Sequence, residues 1–182
     1  IYTEGITQVS DIDFQYAKKL GMTVKLVGSA RMSGEETVSA FVAPLMVKED
    51  HPLSTVNDVF NGILVKGNML GVTMYSGSGA GKLPTASAVA GDMVDAARHL
   101  GKIITLFWEP QKLTLAPMEQ MSRRFFVRME ADANPEALFG DGERVEAGVK
   151  GELGFVTPVM TEAEYAKKAK EAKIIHMIRV EG

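Results

Sequence analysis

No cysteine occurs anywhere in the 182 residues, which excludes disulfides, thiolate metal sites and cysteine nucleophiles and fits a cytoplasmic home. Histidine is nearly as scarce. His51, His99 and His176 stand far apart and make no metal-ligand spacing. Positive charge is not in excess either: 20 Lys and Arg against 23 Asp and Glu give a formal charge of −3. That balance is too mild to recruit nucleic acid or an anionic membrane through a bulk field. No apolar run nears the ~20 residues of a membrane span, and IYTEGITQ at the start is neither a basic signal-peptide opening nor an initiator sequence. The expectation is a chain that begins partway through a larger protein. What is present, 46% hydrophobic residues with 24% charged ones, is ordinary for a globular protein with one sizeable core or two small ones.

Local patterns divide the chain. SDIDFQYAKKLG opens with Ser10 and Asp13 in capping-box spacing, carries Ile12, Tyr16 and Leu20 on one face and stops at Gly21, which predicts a helix over 10–21. VKLVGSA and TVSAFVAPLMV are β-prone and flank the turn-forming RMSGEE, so two strands are expected at 24–30 and 37–47. HPLSTVNDVFNG puts Val56, Val59 and Phe60 on one helical face before Gly62, and ILVKGNMLGVTMYSG reads as a hairpin. PTASAVAGDMVDAARHLG, with proline in the first turn and glycine at the end, reads as a helix. Residues 102–122 hold two prolines and no period, as a connector does. Beyond it RRFFVRMEA, ANPEALFG, RVEAGVKG, ELGFVTPVM, TEAEYAKKAKEA (capped by Thr161) and IIHMIRV give the order βαββαβ of a compact ferredoxin-like unit. The fold class expected is mixed α+β.

SGSGAGKLPTASAV, residues 76–89, suggests a phosphate cradle, but position counting removes two readings. GxxxxGK[ST] would need glycine at 76 and a hydroxyl at 83, and the residues are Ser76 and Leu83. Leucine cannot bind the magnesium ion that a P-loop Ser or Thr holds. GxGxxG fits Gly77 and Gly79 but meets Lys82 at its last position, with no acidic residue at a strand end about 20 residues on. Glycines between a strand and a helix more often serve a tight turn than a ligand. Backbone N–H groups near the helix start can still donate to a polar group brought by another domain.

The series IYTEGITQVSDIDFQYAKKLG, VKLVGSA, VNDVFNGILVKGN and YSGSGAGKLPTASAVAGDMV resembles, in order, the C-terminal half of a bacterial homoserine dehydrogenase. The closing RVEG after a ferredoxin-like unit resembles the end of an ACT regulatory domain. The resemblance implies residues 1–117 as the later part of the substrate and dimerisation domain and 118–182 as an ACT-like regulatory or assembly domain. It further implies reduction of aspartate semialdehyde to homoserine with NADH or NADPH, on the route to threonine and methionine, by a dimer or larger assembly. The family's catalytic lysine follows an aspartate by four positions, and no aspartate here has a lysine at that offset. The Rossmann half and the catalytic residues are therefore expected upstream, and this stretch alone is expected to be inactive and to bind no cofactor.

Within the loop, Gly79, Ala80, Gly81 and Thr85 match the family's cofactor-facing segment, because a Cβ at 79 or 81 would block close backbone approach. The helix that follows packs on the Rossmann domain in the family, which implies that Ala86, Ala88, Ala90 and Gly91 stand exposed here. In the ACT-like stretch DANPEALF, Asp132 and Pro135 match, while Glu136 replaces the glycine that lets an amino-acid effector approach. A charged side chain is expected in that approach, leaving effector binding and assembly as alternatives. A stand-alone amino-acid-sensing or oligomerisation module is the rival reading. Glu4, His51 and the cluster Lys167, Lys168 and Lys170 read as surface or capping groups.

Overall fold

The computed structural model describes residues 1–105, 107–108 and 110–181, so Gly182 of the RVEG tail lies outside the described residues. In chain order the elements are β1 (Tyr2–Thr3), α1 (Asp11–Lys19), β2 (Met22–Met32), β3 (Thr37–Lys48), β4 (Phe60–Gly67), β5 (Gly71–Ser78), α2 (Lys82–Arg98), β6 (Thr114–Leu115), β7 (Ser122–Glu130), α3 (Pro135–Phe139), β8 (Glu143–Val145), β9 (Glu152–Val156), β10 (Met160–Thr161), α4 (Glu162–Ala169) and β11 (Ile174–Val180). They fall into two compact units, residues 1–54 with 112–182 and residues 55–111.

The first unit is built on a mixed sheet in the order β1-β3-β11-β7-β9-β8, with β2 and β6 also paired to β3 and β10 to β7. The part β11-β7-β9-β8 is antiparallel throughout and has the ferredoxin-like order expected for βαββαβ. It does not stand apart. β11 continues in parallel onto β3, Arg179 opposite Leu45 and Val180 opposite Met46, so one sheet runs through the expected boundary at 117/118. The connector contributes as well, since Thr114–Leu115 pair with Thr37–Val38.

Alternation along β7 explains why this region is buried on both faces. Phe126 lies in a row with Ile178 and Val156 on neighbouring strands, and that row packs with Tyr16 and Ala17 of α1. Gly154 makes room: a Cβ there would sit 2.7 Å from the Tyr16 ring. On the other face Phe125, Val127 and Phe155 pack with Phe139 of α3 and Tyr165 of α4, the Phe125 and Tyr165 rings stacked at 4.3 Å. Each fully buried aromatic or aliphatic side chain contributes about 1.5–3 kcal/mol. Helices α3 and α4 cover one face, and the other is covered by a helix from the N-terminal stretch.

Two ion networks tie the same halves together. Arg128 of β7 donates to Asp13 at 3.0 Å, to the Ser10 hydroxyl at 3.0 Å and to Glu152 at 2.9 and 3.1 Å. Arg179 of β11 donates to both carboxylate oxygens of Glu162, at 2.6 and 3.0 Å, and to Glu4 at 2.6 Å. Glu4 thus serves as an ion-pair partner rather than a solvated edge group. Asp13 is fully buried. Burial alone would raise its pKa, but hydrogen bonds from His176, the Ser10 backbone and Arg128 outweigh it and hold the carboxyl well below the usual range.

Local structure departs from expectation in three places. The helix read over HPLSTVNDVFNG is a single 3-10 turn, Pro52–Thr55. Asp58 takes a left-handed conformation, φ 53°, which no helix continues through, and Phe60 opens β4 instead. RVEAGVKG is strand only at Glu143–Val145, and the rest turns through Gly148 and Gly151. ELGFVTPVM is interrupted at Pro158, which has no N–H to donate to a ladder, so Met160–Thr161 pair separately with Ser122–Arg123. The helices with capping signals stand as read. The Ser10 backbone N–H and hydroxyl both donate to Asp13, and the Thr161 hydroxyl accepts the Glu164 N–H at 3.1 Å while Glu164 reaches back to the Thr161 N–H at 2.7 Å.

The second unit is a hairpin and a helix. β4 and β5 pair from Phe60 opposite Ser78 to Gly67 opposite Gly71, and α2 follows after three residues. None of its described residues is buried.

Candidate functional site

The glycine-rich run divides in two. Ser76, Gly77 and Ser78 are strand residues, opposite Gly62, Asn61 and Phe60. Only Gly79, Ala80 and Gly81 form the connection to α2. A mononucleotide cradle needs a free loop of several N–H groups, and half of this run is already committed to a ladder, which gives the rejection of both nucleotide templates a structural basis.

Each of the four expected residues has a definite place. Gly79 donates its N–H to the Val59 carbonyl at 3.2 Å, closing the end of the hairpin. A Cβ at 79 would fall 1.6 Å from the Asn61 side-chain nitrogen, so the space this glycine leaves is filled by Asn61 rather than held open for a ligand. Gly81 is the N-cap of α2 with φ 116° and ψ 158°, a region that is essentially glycine's alone. Around it the nearest atom to an added Cβ is Pro84 Cδ at 3.5 Å. Thr85 donates its N–H to the Gly81 carbonyl at 3.1 Å and so makes the first helical bond. Ala80 lies between them, exposed.

Electrostatically the start of α2 favours a negative group. The first turn carries no acidic residue and the Gly81 cap supplies no side-chain acceptor, so backbone donors and the positive end of a 17-residue helix dipole face outward beside Lys82. Gly81 presents bare backbone on one side of this surface, and no acidic residue of the first turn opposes a negative group there. Ala86, Ala88, Ala90 and Gly91 are exposed, as expected, and so are Leu83, Val89, Met93 and Val94 of α2 and Phe60, Ile63, Val65, Val72 and Tyr75 of the hairpin. An apolar surface this extensive marks a contact site for protein or ligand. Asn61 was not legible from sequence. Its role follows from the register Asn61–Gly77, which no local pattern announces.

The remaining candidates are structural. His51 accepts the Leu53 N–H at 3.2 Å in a turn. Lys168 donates to the Leu138 carbonyl at 2.6 Å, joining α4 to α3. Glu136 is paired, its two oxygens accepting from Arg144 at 2.6 and 2.7 Å. The cavity of about 420 Å³ between the β7–α3 loop and the end of α4 is lined by Asp132, Asn134, Ala137 and Lys173, not by Glu136. Among the described residues no group of His, Asp and Glu could hold a metal ion, and no helix is long and apolar enough to cross a membrane.

Comparison with known proteins places these features. The family model for homoserine dehydrogenase matches residues 1–94, a span that contains the hairpin, the glycine connection and most of α2. A homoserine dehydrogenase from Mycobacterium tuberculosis is 40% identical over 144 residues, 76% of this chain and 33% of that protein. One from Neisseria gonorrhoeae is 35% identical over 145 residues, 75% of this chain and 33% of that protein. The chain therefore spans about a third of the length of the curated relatives it matches. The crystal structure of a homoserine dehydrogenase from Thiobacillus denitrificans superposes with a TM-score of 0.78 at 31% identity, covering 99% of this chain and 47% of that one.

Proposed function

Because the chain belongs to the homoserine dehydrogenase family, we propose that it supplies the later part of the substrate and dimerisation region of an enzyme that reduces aspartate semialdehyde to homoserine with NADH or NADPH. The observation that carries this reading is the connection Gly79–Gly81, a bare backbone turn between a paired strand and an uncovered helix, inside the span that matches the family. In the assembled enzyme Gly81 and Ala80 form one wall of the nicotinamide site, and Thr85 brings its hydroxyl to the same wall. Gly79 acts one step back, seating Asn61 so that the turn keeps its course. The first turn of α2 offers backbone donors to negative charge. Bound there, the cofactor supplies the hydride.

Hydride transfer to an aldehyde also needs a proton donor held at the carbonyl oxygen. The family's aspartate–lysine pair has no counterpart in these 182 residues, so the chain alone gives no turnover. We assign it to the cytoplasm and to a homodimer, with α2 covered by a Rossmann domain. The test is NADPH oxidation in the presence of aspartate semialdehyde. None is expected from the purified chain, and measurable oxidation would remove the claim that the proton donor comes from elsewhere.

The ferredoxin-like part has a second reading, as an ACT-like effector or assembly module. The outward turn of Glu136 onto Arg144 favours it by leaving the cavity beside α3 open. Calorimetric titration with threonine, methionine and lysine decides between the two: a saturable isotherm supports sensing, and flat traces leave assembly.

A further inference from the structure

A separate concavity of about 630 Å³ lies between the end of the β2–β3 hairpin and the start of β7. Three arginines, Arg31, Arg123 and Arg124, line it, with one acidic residue, Glu181. In a chain of net charge −3 such a local excess of positive charge is conspicuous. Arg31 is largely exposed and stands 3.6 Å from Glu181, and Arg124 is half-buried.

Arg123 is the unusual member. Its side chain is only 11% exposed, and its guanidinium lies 4.5 Å from the centre of the Phe41 ring, which fixes its plane. Its acceptors are poor for a buried cation. Nε is 3.2 Å from Glu162 without the alignment of a hydrogen bond, and Glu162 also accepts two bonds from Arg179. One terminal nitrogen reaches only the Met121 sulfur, at 3.7 Å. Burial lowers its pKa, and Glu162 restores only part of that loss. A buried guanidinium with donors left over is costly, and a planar oxyanion is the group that completes its fork. The other walls, Phe41, Met121 and Val159 with the hydroxyls of Ser29 and Ser39, suit a short carbon skeleton with a polar far end.

We propose that this concavity is a binding site for a small dicarboxylate, one carboxylate on Arg123 and the other between Arg31 and Arg124. The site is separate from the glycine connection and does not depend on the reading given to it.

The test is calorimetric titration of the 182-residue chain with succinate, glutarate and inorganic phosphate at low ionic strength, where charge pairing is least screened. A saturable one-to-one isotherm is expected for succinate or glutarate, weakening as salt is added. The double variant Arg31→Gln/Arg124→Gln changes two side chains outside the core, so its denaturation midpoint stays that of the parent while dicarboxylate affinity falls at least about tenfold. Arg123→Lys keeps the charge but loses the fork, and weakens binding without abolishing the fold. No saturable heat from either dicarboxylate, undiminished binding by the double variant, or binding of phosphate alone would each overturn the assignment.

Discussion

Residues 122–180 and residues 55–111 contain similar apolar side chains and treat them oppositely. Phe125, Phe126 and Phe155 are fully buried, each on a strand whose two faces are covered from within the chain. Phe60, Tyr75, Leu83 and Met93 are half to four-fifths exposed, on a hairpin and a helix that bury nothing. The difference lies in where the covering comes from. The first region recruits α1 from more than 100 positions away through the Asp13–Arg128 pair, whereas in the second none of the described residues is buried. The first is a self-sufficient core, and the second is an exposed apolar surface.

Breaking the tie that makes the first region self-sufficient has the largest expected effect. Asp13→Ala leaves Arg128 and His176 without their shared carboxylate, and removing one partner of a buried pair costs about 3–5 kcal/mol. Urea denaturation should show a lower midpoint with unchanged slope. The same carboxylate sets an acid limit. Its native pKa is depressed, so its contribution is complete above the unfolded value near ~3.9 and is lost as pH falls toward the native value. The parent should lose stability through that window, and the Asp13→Ala chain should lose less there. Equal acid losses in the two would place the acid sensitivity elsewhere.

A smaller effect is expected where packing rather than charge joins the parts. Gly154→Ala puts a methyl 2.7 Å from the Tyr16 ring and 2.9 Å from Phe126, an overpacking expected to cost about 1–3 kcal/mol. Partial rescue by Tyr16→Leu, read from the same denaturation curves, would locate the clash at α1.

Gly81→Ala sharpens the comparison from the other side. A Cβ at φ 116° is strained by about 1–3 kcal/mol, yet the strain falls in a region that contributes little to the global transition. The midpoint of the chain should hardly move, while helical circular dichroism falls. A full drop in midpoint would mean that α2 belongs to the cooperative core. Smallest of all, Met93→Gln on α2 should change the stability of the isolated chain by no more than about 0.5 kcal/mol, because no partner loses a contact.

These contrasts also show what a single sequence can carry. Ser10–Asp13 and Thr161–Glu164 announced α1 and α4 because capping is local chemistry, complete within four residues. RRFFVRMEA announced a strand, but its burial on both faces came only with the packing of α1, α3 and α4. The order βαββαβ gave the ferredoxin-like sheet, but not its continuation onto β3, since nothing near Val180 points to Met46. Arg128–Asp13 and Arg179–Glu4 were hidden for the same reason, their partners being 115 and 175 positions apart. HPLSTVNDVFNG misled because helical spacing of Val56, Val59 and Phe60 was weighed above Asp58, whose left-handed backbone ends any helix there. At the glycine connection, the need for glycine at 81 was visible as a strand-to-helix turn. At 79 glycine was read as room for a close approach, whereas the space is filled by Asn61 across the hairpin.

Hydrogen exchange on the dilute 182-residue chain tests most directly whether α2 is a docking surface rather than part of the core. Amides of β7 and β11 should exchange only through global unfolding, and those of α2 far faster, because a lone helix of this length is marginal in water. Protection of α2 equal to that of β7 would contradict the account, since it would mean that this chain holds the helix by its own packing.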